Sequence, residues 1–360
     1  MKTGLLILAG AIICLGAAGL GLALGKAKDS SHQAAAVPAT TSSTDVGRPI
    51  LPASSGGLRL PLDCVPGQTC VIQNYVDVDP GPGVRDHRCG SRTYEGHNGT
   101  DFRLPDEAAR LRGLAVLAAM DGVVQRVRDG VPDISVIERG LAAVEGQECG
   151  NGVIIAHGDG LTTQYCHMAS GSVSVASGQT VRAGDPIGRV GMSGQTEYPH
   201  LHFTVRDHDR VVDPFAPSEA QPVCSASPGR TLWAAETAQA LAYHERSVLN
   251  AGFVGAPPSM ASIESGGLPL PTGDSAVLVA YVRAIGLKAG DVERLTVTDP
   301  KGEVVATTRS DPLASNRAQQ MVFAGRRVRA GGWAAGVYTA TYVVEAEGQT
   351  VLERRFSLTL

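Results

Sequence analysis

The pattern of apolar and polar residues changes four times along the chain. Residues 4–25 contain no charged side chain, with Lys2 before them and Lys26 and Lys28 after. That run is long enough to span a hydrocarbon core of about 30 Å as a helix, and longer than the 7–15 or so apolar residues of a cleaved signal peptide. Residues 1–28 are therefore expected to be a transmembrane signal anchor. A cleaved signal peptide stays open as the alternative, because glycine and alanine dilute the hydrophobicity. Residues 29–57 are rich in Ser, Ala and Thr, with Pro38, Pro49 and Pro52 and no period, the composition of a flexible linker. From 58 to 217 short apolar runs alternate with turn residues. Val123–Val127, Gly152–His157, Leu161–Met168 and His200–Arg206 read as strands, with hairpin turns expected at Asp121-Gly122 and Gly158-Asp159-Gly160. Val131–Glu148 breaks the pattern and reads as helix or loop.

In residues 218–265 the Ala-rich stretch Leu232–Leu249 predicts a helix inside a connector closed by Pro257-Pro258. Residues 266–360 return to strand-length runs: Ala276–Val282, Glu293–Thr298, Gly302–Thr308, Gln320–Phe323, Val337–Glu345 and Val351–Leu360. Six or seven strands in about 95 residues suggest a C-terminal immunoglobulin-like β-sandwich. The chain is thus mainly β, with two folded domains, and no repeat of 20–50 residues is present.

Composition sharpens this picture. Only 4% of the residues are aromatic and 18% charged, with a net charge of −4. That balance lacks the basic footprint of a nucleic-acid binder. The acidity is local: residues 58–217 hold 14 Arg or Lys against 20 Asp or Glu, a net −6 that favours cations. Of the seven cysteines, Cys14 lies in the anchor, while Cys64, Cys70, Cys89, Cys149, Cys166 and Cys224 lie in or beside the β domain. No C-x-x-C pair is present, and an even number after an export signal predicts disulfides in an oxidising compartment. Cys149 and Cys166 flank the Gly152–Met168 hairpin and could pair across it.

The chemistry concentrates in histidine. His200 and His202 sit at i and i+2 of a strand run, so both rings project from one face. Two imidazoles on one face begin a zinc site, which takes His nitrogens and carboxylate oxygens and keeps one position for water when catalytic. His97 and Asp101 are the candidates for the remaining ligands, with Gly99 between them permitting a tight turn. His167 follows Tyr165 and Cys166 in another strand; Cys166 is expected on the opposite face from His167. Tyr165 reads either as an active-site wall or as core. His157, beside Gly158, reads as structural, His208 as solvated, and Asn98 carries no assigned role.

These stretches resemble the lysostaphin-type zinc metallopeptidases, or LytM domains, which cleave peptide cross-links of bacterial peptidoglycan. The matching residues are His97-x-x-x-Asp101, Tyr165-Cys166-His167 and Ser193-Gly194-x-Thr196-x-x-Pro199-His200-Leu201-His202-Phe203, with supporting turns at Asp121-Gly122-Val123-Val124, Gly152–Gly158 and Val212-Asp213-Pro214. The resemblance covers about residues 90–217. It implies a LytM-type (duplicated hybrid motif) β-sheet fold and one Zn2+, bound by His97, Asp101 and His202, with His167 and His200 as catalytic histidines. There is no H-E-x-x-H, so a neutral histidine is the expected proton acceptor. Cys166 departs from the family's usual Ala or Ser, and Val131–Gly150 looks like an insertion that either walls the groove or decorates it.

The resemblance further implies peptidoglycan stem peptides or cross-bridges as substrate. The apolar N-terminal run adds the expectation of an exported, cell-envelope protein, periplasmic or otherwise extracytoplasmic, with residues 4–25 holding the chain at the inner membrane. The alternative is a catalytically silent LytM-type module that binds and activates a cell-wall amidase. The sandwich is the candidate surface for an envelope protein partner.

Overall fold

The computed structural model describes residues 56–217, 230–328 and 332–360, all within one compact unit, Pro49–Leu360. The expectations for the anchor, for the linker up to residue 55 and for Cys14 and Cys224 concern residues outside that set. Among the described residues no helix is long and apolar enough to cross a membrane.

The first half is built on β1 (Val71–Asn74), β2 (Thr100–Arg103), α1 (Glu107–Leu111), β3 (Ala115–Leu117), β4 (Gly122–Arg128), α2 (Val136–Arg139), β5 (Asn151–Gly158), β6 (Leu161–Met168), β7 (Thr180–Val181), β8 (Pro186–Arg189), β9 (His200–Asp207) and β10 (Arg210–Val212). The main sheet runs β1-β2-β9-β6-β5-β4-β7, with β10 on β9, and β3 pairs with β8. Alternation decides which face is which. Leu201, Phe203 and Val205 of β9 enter a core with Phe102, Val153, Ile155 and Tyr165, leaving His200, His202 and Thr204 on the other face.

The β5–β6 hairpin closes on Asp159-Gly160, with φ +46° and +79°, both positive as the tightest hairpin turns require. Asp121-Gly122 is not a hairpin turn. β3 pairs with β8, whereas Gly122 opens β4, which pairs with β5 and β7. A Cβ at Gly122 would lie 2.4 Å from the Ala156 carbonyl oxygen, so glycine serves close strand packing there.

The insertion mixes both expectations, with the single helical turn of α2 and a 3-10 turn at Leu141–Val144. Asp133 ties it down by accepting from the backbone N–H groups of Met192 (2.7 Å) and Ser170 (2.9 Å). The Cys149–Cys166 disulfide forms as expected, Cys64 pairs with Cys70 over a six-residue separation, and Cys89 is also disulfide-bonded.

The long connector helix does not form. α3 covers only Ala235–Ala240, and Ser247–Val254 is instead a strand, β11. β11 pairs along β12 (Val277–Leu287) from Ser247 to Val254, and that ladder overrides the helical propensity of an Ala-rich stretch. A further short helix, α4, spans Met260–Ser265. Around α3, Trp233 and Leu241 plug the core of the first sheet.

Beyond β12 lie β13 (Val292–Thr298), β14 (Val304–Arg309), β15 (Arg317–Arg327), β16 (Val337–Ala346) and β17 (Gln349–Thr359). They form a three-stranded sheet β11-β12-β15 and a four-stranded sheet β14-β13-β16-β17. Ala280 and Val282 of the first share one core with Leu295, Tyr338 and Tyr342 of the second.

Candidate functional site

Antiparallel register brings the candidate residues together. Pairing of β2 with β9 sets Asp101 opposite His202 and Arg103 opposite His200, so all four side chains leave the same face. His97 arrives from the segment before β2. Its Nε2 lies 3.2 Å from His202 Nδ1 and 3.2 Å from Asp101 Oδ1, and His202 Nδ1 lies 2.9 Å from that same oxygen. Gly99 has a different role from the expected turn: a Cβ there would stand 2.6 Å from His202 Nε2, so glycine makes room for the imidazole.

The outer nitrogen of each ring faces an oxygen. His97 Nδ1 donates to the Tyr75 carbonyl (2.6 Å), His167 Nδ1 to that of Ser193 (2.8 Å), His200 Nδ1 to that of Tyr198 (2.9 Å), and His202 Nε2 to the Asn98 side-chain carbonyl (2.9 Å). A carbonyl oxygen only accepts, so each outer nitrogen carries a proton, which in the neutral ring leaves the inner nitrogen a lone pair. Asn74 Nδ2 donates to the second oxygen of Asp101 (2.9 Å). With the rings neutral, three lone-pair atoms, His97 Nε2, His202 Nδ1 and Asp101 Oδ1, converge. Their separations suit a tetrahedral ion with bonds near 2.0–2.1 Å, whose ligand atoms stand about 3.3 Å apart. The outer-nitrogen bonds supply the orienting contacts that metal-bound histidines need. Two sets of side chains among the described residues could hold a metal ion, His97–Asp101–His202 and His167–His200–His202, and they share His202.

Electrostatics follow the same geometry. Burial opposes ionisation of Asp101, but His97 and His200 beside it hold its carboxyl well below the usual carboxylate range. Burial also disfavours the charged form of His97, yet Asp101 outweighs it and raises the pKa. For His202 burial prevails over Asp101 and the pKa falls. Burial, reinforced by repulsion from His200 and His202, drives His167 well below its ordinary value, which keeps it neutral.

His167 reaches the site by an unexpected route. Its φ is +60°, in the left-handed region that non-glycine residues rarely adopt. Its N–H donates to the Cys149 carbonyl (2.8 Å) and its carbonyl accepts from Gly191 N–H (2.9 Å). Cys166 pairs opposite His202 and so already faces the site. The left-handed turn at the next residue brings His167 round to that face as well. The expectation that Cys166 lies on the opposite side from His167 is therefore overturned, because strict alternation assumes regular strand backbone. Cys149, Cys166, His167 and His202 line one cavity of about 420 Å³. A second, of about 480 Å³, lies against Asp101, His167 and His200. Tyr94, His167 and Gln195 border both.

The remaining residues divide clearly. Tyr165 is core, its hydroxyl accepting from Ala119 N–H and Thr163. His157 is structural, bonded to the Asp121 carbonyl and Thr163. His208 is an exposed turn residue beside Asp207. Asn98, given no role from sequence, holds His202; adjacency to His97 was the available signal. Sequence reasoning also missed Asn74, which holds Asp101, and the carbonyls of Tyr75, Ser193 and Tyr198, which have no side-chain signature.

Comparison with known proteins adds the following. Residues 95–214 match the model of Peptidase family M23. Cell division protein DipM of Caulobacter vibrioides is 35% identical over 102 residues, 26% of this chain and 16% of that protein. DD-carboxypeptidase/endopeptidase Mpg of Neisseria meningitidis is 32% identical over 123 residues, covering 34% and 23%. Peptidoglycan DD-endopeptidase ShyA of Vibrio cholerae is 32% identical over 117 residues, covering 32% and 22%. The chain therefore spans less than a quarter of the length of these relatives. Among solved structures, a zinc-containing peptidase from Vibrio cholerae is 28% identical over 39% of each chain, with a TM-score of 0.26.

Proposed function

We propose, starting from the Peptidase family M23 domain that residues 95–214 make up, that this chain is a zinc-dependent endopeptidase cutting peptide cross-links of bacterial peptidoglycan. The observation that carries the reading is the convergence of His97 Nε2, Asp101 Oδ1 and His202 Nδ1 within 3.2 Å, with each ring's other nitrogen bonded to an oxygen. We assign these three as the metal ligands. Two imidazoles and one carboxylate with a water in the fourth place are a donor set that zinc favours in catalytic sites. Zinc held there supplies Lewis acidity, acidifying a water and polarising the scissile carbonyl.

His167 and His200 then handle protons. His167 is kept neutral by burial and presents Nε2 as a base, since Nδ1 is committed to Ser193. His200 Nε2 lies 3.5 Å from Asp101 Oδ1, which places it on the other side of the ligand cluster to pass a proton to the departing amine. Asn98, Ser193 and Tyr198 orient the rings. The chain as a whole is read as an exported envelope protein, held at the inner membrane by residues 4–25. Its C-terminal sheets are read as an immunoglobulin-like sandwich.

The test uses the full chain, loaded with zinc and incubated with purified peptidoglycan, with metal content measured by elemental analysis and products by mass spectrometry. Cross-linked muropeptides should be cut by the parent, and both cutting and metal should be lost in His202→Ala. His167→Ala and His200→Ala should keep metal and lose turnover by at least a hundredfold. A metal-free protein that leaves cross-links intact yet stimulates a wall amidase would replace this reading with the silent-activator one.

A further inference from the structure

We infer that the C-terminal β module forms one wall of the substrate groove, with Ala318 and Gln319 of β15 lining a half-site for a peptide stretch. This rests on the peptide-hydrolase reading above. The cavity of about 480 Å³ that borders Asp101, His167 and His200 is also lined by these two residues, more than a hundred positions later in the chain. Its size is that of a pocket holding a small ligand. Gln73 Nε2 of β1 reaches across to the Ala318 carbonyl (3.4 Å), which joins the two walls.

The wall is fixed, not swinging. Glu264 of α4 accepts from Arg103 of β2 (3.0 Å) and from Arg283 of β12. Arg283 also donates to the Pro105 carbonyl, as does Asn250 of β11 (3.0 Å). Arg103 and Arg283 are buried, so this junction is interior in character and holds β15 in register with the histidines. Arg103 in turn stacks 3.7 Å from the Tyr198 ring centre, and the Tyr198 carbonyl is the one that orients His200.

The chemistry of the lining selects the ligand. Gln195 and Gln319 present carboxamides to peptide groups without net charge, while those of Gln73 and Asn74 are bonded within the wall to Ala318, Arg103 and Asp101. The one buried cation, Arg103, is matched by Glu264, and Glu197 stands exposed at the rim. Groups without net charge on Gln195 and Gln319 fit the backbone amides of a peptide on this side of the scissile bond.

The test compares Ala318→Trp and the near-isosteric Gln319→Glu with Lys301→Trp, which sits in an exposed turn of the same module. All are made in the full chain. A soluble cross-linked muropeptide dimer serves as substrate, and calorimetric binding of the same dimer is measured in a His200→Ala background. Both groove variants should raise KM and the dissociation constant about tenfold or more with metal content unchanged, whereas Lys301→Trp should leave both as in the parent. Unchanged KM and affinity in Ala318→Trp and Gln319→Glu would overturn the wall. A parent that binds the dimer without cutting it would overturn the peptidase reading alone, since binding still reports on the wall. A parent that does neither would overturn both.

Discussion

His167 holds φ at +60°, which costs a non-glycine residue about 1–2 kcal/mol. The strain is maintained by bonds to Cys149, Gly191 and Ser193 and delivers the ring to the site, as strained residues at functional centres do. His167→Gly should therefore be more stable to urea than His167→Ala by about 1 kcal/mol, with both inactive. Equal stability would mean that the left-handed conformation is not held in solution. Asn98 acts through His202: Asn98→Ala should weaken zinc binding about 10- to 100-fold in chelator competition while the fold persists. His157 tests the electrostatics away from the metal. Burial depresses its pKa, so the folded state binds fewer protons than the unfolded one. Its stabilising contribution is complete above the unfolded value of about 6.5 and is lost as pH falls below it. The acid limb of unfolding free energy against pH should flatten in His157→Asn, and an unchanged slope would show that His157 is not kept neutral.

Elements show why some of this is legible in the sequence and some is not. The i, i+2 spacing of His200 and His202 requires only that β9 be a regular strand, and it is. Asp159-Gly160 is readable because two positive φ angles demand those residue types. Cys166 and His167 defeat the pattern because alternation fails at a left-handed residue, for which a histidine gives no warning. Leu232–Leu249 defeats it because its last three residues, Ser247–Leu249, open β11, which pairs with β12 some thirty residues downstream. The Cys149–Cys166 bridge belongs to both levels: it closes the insertion onto β6, and Cys149 also accepts the His167 N–H. Cross-linking a loop of this length is worth about 3 kcal/mol. Replacing both cysteines by alanine should cost about that much in denaturant unfolding. It should also reduce turnover, because it loosens the His167 backbone that Cys149 holds. A double variant with parental turnover would separate the disulfide from the positioning of His167.

At the scale of the molecule, the chain reads from sequence as a catalytic domain ending near residue 217 with a separate module behind it, and the packing ties the two more closely. Trp233 and Leu241 are buried at 3% exposure each, in the same core as Phe102, Phe203 and Leu58. Leu58 N–H donates to the Leu232 carbonyl (2.7 Å) and Ala234 N–H to that of Leu58 (2.8 Å). A chain cut at 217 loses the indole that stacks beside Phe203 and the strand-like cover over Leu58. Emptying the site of a buried aromatic costs about 3–5 kcal/mol, a large share of the 5–15 kcal/mol that folded domains typically possess. The same cut removes Glu264, so Arg103 beneath Tyr198 loses its carboxylate. Residues 56–217 alone should therefore lack a cooperative thermal transition in near-ultraviolet circular dichroism, and Trp233→Ala in the full chain should lower its stability by about 3 kcal/mol or more. A fragment ending at 217 that melts cooperatively within a few degrees of the full chain would show that the histidine-bearing sheet stands without the C-terminal half. It would also strip the groove wall of its structural rationale, because a module that adds nothing to the core has no reason to be held so rigidly against the histidines.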